Sequence, residues 1–134
     1  MTKWLDRKIY LPVRLTDEEK KRLREAMYEV LRMLDFSHHF AYSLLYSSPV
    51  YVQCYKKLLK RGSIDSVPIN IRKKQLYNLY RLTIDFCEQN GLTAIKPLVL
   101  LLILAIAQLY RKGESQIADK IIGALIPKEI SIFQ

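Results

Sequence analysis

Between Leu23 and Leu34 the apolar residues Leu23, Ala26, Met27, Val30, Leu31 and Leu34 recur at steps of three and four, which places them on one helical face. The start of that helix is written just upstream. Thr16-Asp-Glu-Glu19 matches the capping box, in which the Thr hydroxyl and the Glu carboxylate each satisfy an orphan backbone N–H. The helix is expected to end near Asp35. A second apolar stretch, His38 to Tyr46, stops at Ser47-Ser48-Pro49, where Ser48 can cap and Pro49 can open the first turn of a helix reaching Arg61 before Gly62. From Ile71 to Asn90, Leu76, Leu79, Tyr80, Thr83, Phe86 and Cys87 again keep helical spacing, and Asn90-Gly91 supplies a left-handed terminator. A helix from Pro97 to about Arg111 ends before Gly113, and a short one from Ser115 to Leu125 closes at Pro127. Lys8 to Leu15, with Pro12, reads as an extended, irregular arm, and Ser63 to Asn70, with Pro68, reads as a loop. Residues 128–134 alternate Ile130 and Ile132 with polar positions and read as a frayed or docked tail rather than a strand. The expected class is all-α: one domain over residues 1–134, a bundle of four to six helices around a central hydrophobic helix, with an extended N-terminal arm.

The 14 residues from Pro97 to Tyr110 carry no charge. As a helix they span about 21 Å, short of the ~30 Å hydrocarbon layer, so a buried central helix is expected rather than a membrane span. The 134-residue chain is 50% hydrophobic and 26% charged, enough apolar material for a core and incompatible with intrinsic disorder. Met1 to Tyr10 alternates charged with apolar residues and lacks the hydrophobic run of a signal peptide. Cys54 and Cys87 have neither a Cys-x-x-Cys spacing nor a metal-ligating companion, and they read as buried small hydrophobes. An intracellular setting is expected, with no cofactor and no metal.

Charge changes the picture. The net charge is +9, and six of those nine positive charges fall in residues 36–74, where Lys56, Lys57, Lys60, Arg61, Arg72, Lys73 and Lys74 face only Asp65. Lys56 to Arg61 lie near a helix C-terminus, where cations are favoured. Arg72-Lys73-Lys74 lie at a helix start, where the macrodipole disfavours them, so another influence must hold them there. Tyr51, Tyr55, Tyr77 and Tyr80 interleave with both groups and fit either base stacking or the core stripe. These seven cations are the candidate phosphate-binding residues for nucleic acid, DNA in the first instance, read without sequence preference. The spacings of helix-turn-helix, zinc-finger and RNA-recognition modules do not occur in the chain.

Enzymatic constellations are sparse. His38 and His39 are adjacent and point about 100° apart on a helix, too divergent to share a metal. Asp17–Lys21 and Glu18–Arg22 are ordinary i,i+4 pairs, and Gly62, Gly91, Gly113 and Gly123 are too scattered for a phosphate-cradling loop. Arg32 stands six residues before His38, which resembles the Arg-x(4–6)-His motif of the helical-bundle ribonucleases called HEPN domains, although Met33 occupies the place of their polar companion. The chain is expected not to be an enzyme, and a ribonuclease through Arg32 and His38 is the third reading.

The Lys-, Ile-, Leu- and Tyr-rich, Gly-poor composition, with this size, helix layout and basicity, resembles the small α-helical coat proteins of large spindle-shaped viruses of hot-environment archaea, a group to which a viral inhibitor of host RNA polymerase is related. The resemblance covers the whole chain and assigns no residue a role. It implies either a shell around DNA or a basic bundle seated in the polymerase. The first expectation is therefore a self-associating DNA-binding subunit of a coat or nucleoprotein, and the second is a module that binds a host protein machine.

Overall fold

A computed structural model describes residues 6–46, 50–60, 65–93 and 96–126. Six helices dominate it: α1 (Asp17–Phe36), α2 (His39–Leu45), α3 (Val50–Lys60), α4 (Lys73–Gln89), α5 (Pro97–Arg111) and α6 (Ser115–Leu125). The fold is the expected helical bundle with an N-terminal arm. Residues Leu100 to Ala107 are all buried, together with Leu109, because α1, α2, α3, α4 and α6 each pack against α5. A helix surrounded in this way has no polar face to present, which is why its sequence is an uncharged run and not an amphipathic stripe. Among the described residues no helix is long and apolar enough to cross a membrane.

The helix ends follow local chemistry. Glu19 N–H donates to Thr16 Oγ1 at 3.1 Å and Thr16 N–H donates to Glu19 Oε1 at 2.8 Å, closing the capping box. Gly91 and Gly113 take φ of 65° and 83°, a region closed to most side chains, and they end α4 and α5. The expected Ser48 cap, the stop at Gly62 and the 128–134 tail lie outside the described residues.

Two expectations are corrected. The arm is a strand, β1 (Asp6–Leu11), and the supposed loop contains a second, β2 (Asp65–Asn70), paired antiparallel with Ile9 opposite Val67 and Lys8 opposite Pro68. Ile9, Leu11, Val67 and Ile69 are buried against the helices while Lys8, Tyr10 and Pro68 face outward. Each alternation is only a few residues long and interrupted or flanked by proline, and the partners are about sixty positions apart, so no hairpin signal links them. Both cysteines are free and buried, and burial pushes the Cys54 thiol up to about 12.

Candidate nucleic-acid interface

The start of α4 shows what holds cations at the positive end of a helix. Asp35, in the last turn of α1, sits beside it, its side chain only 12% exposed. Arg72 Nη2 donates to Asp35 Oδ2 at 2.7 Å and Gln75 Nε2 donates to the same oxygen at 3.1 Å. Asn78 Nδ2 donates to the Leu34 carbonyl at 3.2 Å, so the end of α1 is stitched to the first turns of α4. One aspartate thus supplies the anion that the first turn of α4 lacks in its own sequence. Arg72 is thus engaged within the chain. Lys73 and Lys74 are exposed and form no ion pair with any described residue.

At 100° per residue, Lys73, Lys74, Tyr77, Tyr80, Arg81 and Ile84 fall within about a third of the circumference of α4, and every one is exposed. Tyr77 is 60% and Tyr80 46% exposed. The Arg81 guanidinium lies 6.0 Å from the centre of the Tyr77 ring and reaches its hydroxyl at 3.4 Å. The opposite face, with Leu79, Leu82, Thr83, Phe86 and Cys87, is buried. Beside Tyr80 a groove of about 240 Å³ is walled by Leu76, Pro97, Leu98 and Val99, with Lys96 at its edge.

The four tyrosines that sequence left in two roles divide evenly. Tyr51 and Tyr55 are core, 4% and 0% exposed. The Tyr55 hydroxyl accepts from Lys96 N–H at 2.7 Å, tying α3 to the entry of α5, and desolvation pushes its pKa up to about 12. Tyr77 and Tyr80 belong to the outer surface, Tyr80 contrary to its expected place on the apolar stripe. Lys56 and Lys57 are exposed on α3, a helix packed on α5 and α6, whereas α4 packs on α1 and α5. The side chains of Lys60 and Arg61 lie outside the described residues. Arg81 and Lys96 were not among the candidate cations because each stands alone in the sequence; for Arg81 the spacing 73, 77, 80/81, 84 was the available signal.

A second groove, about 310 Å³, lies between α1, α2 and α5. There Arg111 stacks 5.0 Å from the Phe40 ring, and Glu29 accepts from Gln108 at 3.1 Å and from Lys112 at 3.0 Å. Arg32 lines this groove, while His38 stands at the start of α2 with its ring edge-on to Tyr42. The two side chains form no hydrogen bond with each other. Among the described residues no group of three or more His, Cys, Asp or Glu side chains could hold a metal ion. Compared with protein-family models, curated proteins and solved structures, the chain finds no match.

Proposed function

We propose that this protein is a non-enzymatic, basic helical module that binds nucleic acid, single strands in preference to duplex, through the outer face of α4, with several copies acting together as in a coat or nucleoprotein. The observation that supports it is the shared exposure on one face of two ring platforms, Tyr77 and Tyr80, and three cations, Lys73, Lys74 and Arg81. Exposed tyrosines are ready to stack on unpaired bases, a contact that tolerates any sequence, while the cations neutralise the backbone. A regular duplex hides its base faces, so it would meet the cations alone. The groove walled by Leu76, Pro97 and Leu98 offers apolar lining beside Tyr80 for a displaced base, with Lys96 within reach of its phosphate.

Fluorescence anisotropy with single-stranded and duplex oligonucleotides of mixed sequence tests this reading. Single strands are expected to bind more tightly, and replacing Tyr77 and Tyr80 by alanine should weaken their binding by about 1–3 kcal/mol per stacked base, with little change for duplex. Equal loss for both forms, or no loss for either, would discard the face as a nucleic-acid site and favour a protein partner, such as a host polymerase, as its occupant.

A further inference from the structure

Pro68 has no N–H, so the pair it forms with Lys8 cannot be one that exchanges hydrogen bonds. The ladder bonds therefore belong to Arg7 opposite Ile69 and Ile9 opposite Val67, and the backbone groups of Lys8 and Tyr10 point away from β2. The corresponding outer edge of β2 is blunted. Pro68 offers no donor there, and Asn70 N–H is taken by the Tyr28 hydroxyl of α1 at 3.3 Å. Among the described residues the outer edge of β1 has no such protection. Among the described residues nothing hydrogen-bonds to the backbone of Lys8 or Tyr10 along that edge, and both side chains are exposed, Tyr10 at 57%.

We propose that the outer edge of β1 is a strand-addition surface and that its occupant is β1 of a second copy of this chain, paired antiparallel about Ile9. In that register Lys8 of each copy lies opposite Tyr10 of the other, and each of the two pairs exchanges both N–H···O bonds. The ammonium then meets an aromatic ring. Centring on Lys8 instead would set two lysines directly opposite each other, which is unfavourable. The product is a four-stranded sheet in the order β2–β1–β1–β2, and the blunted β2 edges stop it there, making a closed dimer instead of a fibre. One short strand pair buries little surface, at the low end of specific interfaces, so the dimer is weak and concentration-dependent. This names a surface for the self-association proposed above and stands independently of nucleic-acid binding.

The test is sedimentation equilibrium on the full chain and on Tyr10→Pro. Proline at this position removes the outward N–H, as Pro68 does on β2, together with the ring that faces Lys8 of the other copy, and leaves the β1–β2 ladder intact. The wild type is expected to dimerise with rising concentration, and Tyr10→Pro to dimerise at least about tenfold more weakly while keeping its thermal midpoint and its affinity for single strands. A wild type that stays monomeric up to about millimolar concentration, or a variant that dimerises equally well, overturns the proposal. Backbone hydrogen exchange on the wild type gives a reading that survives misfolding of the variant. The Lys8 and Tyr10 amides should exchange more slowly in concentrated than in dilute protein, and exchange independent of concentration refutes the pairing.

Discussion

Replacing Lys73 and Lys74 by glutamine is expected to move stability and binding in opposite directions. Both lysines occupy the first turn of α4, which contains no acidic residue, and neither has a carboxylate partner among the described residues. Relieving the clash with the helix dipole should stabilise the fold by roughly 0.3–1 kcal/mol per lysine at low ionic strength, with exposure to solvent placing the gain near the lower end. Urea denaturation is the appropriate assay, because an uncharged denaturant leaves the electrostatics unscreened. On the binding side, each phosphate neutralised on a single strand contributes a slope of about −0.7 to log affinity against log salt. Lys73, Lys74 and Arg81 together give about −2, so the wild-type face should lose about 20-fold in affinity between 50 and 200 mM salt. The double variant keeps only the Arg81 contribution, and its slope should be shallower by about 1.4. Any cations elsewhere add equally to both proteins. A variant that is less stable than the wild type would show that these lysines serve the fold. An unchanged slope would show that they do not touch phosphate.

Other perturbations test the scaffold. Asp35→Asn removes the charge shared by Arg72 and Gln75 and should destabilise the chain by about 1–2 kcal/mol in urea melts, since the Arg72 partner is largely exposed and the aspartate is not. Leu104→Ala, at a position with no exposure in the middle of α5, should cost about 2–5 kcal/mol by the same measurement, and a loss below about 1 kcal/mol would contradict the central placement of that helix. Tyr42 donates to Asp85 at 2.8 Å, and desolvation with that carboxylate pushes its hydroxyl from 10 up to about 12. A group whose acidity is weakened by folding contributes stability that is whole below its unfolded value and is lost as pH rises. Stability should therefore fall between about pH 10 and 12, and Tyr42→Phe should make that fall shallower, as followed by circular dichroism.

The helical elements were legible because their signals are local. A capping box at Thr16 and Glu19, left-handed glycines at 91 and 113 and the three-four spacing of Leu23 to Leu34 are each set by a few neighbouring residues. The strands were not, because Ile9 and Val67 earn their places only by pairing across about sixty positions, with proline in the middle of one strand. The candidate site fell between these cases. A count of charges located Arg72, Lys73 and Lys74, but the periodicity that puts Tyr80 near the apolar stripe cannot tell which edge of that stripe another helix covers.

Sequence by itself determined that the chain is a basic helical bundle with one helix buried on every side, since hydrophobic spacing, caps and an uncharged run act within single segments. Only the tertiary structure decided which tyrosines pack inside and which face solvent, that Asp35 holds Arg72 at the head of α4, and that among the described residues the outer edge of β1 meets no partner while that of β2 meets Tyr28. Each of those depends on what a residue meets from a distant part of the chain, and burial, ion pairing and strand register exist only once such segments are brought together.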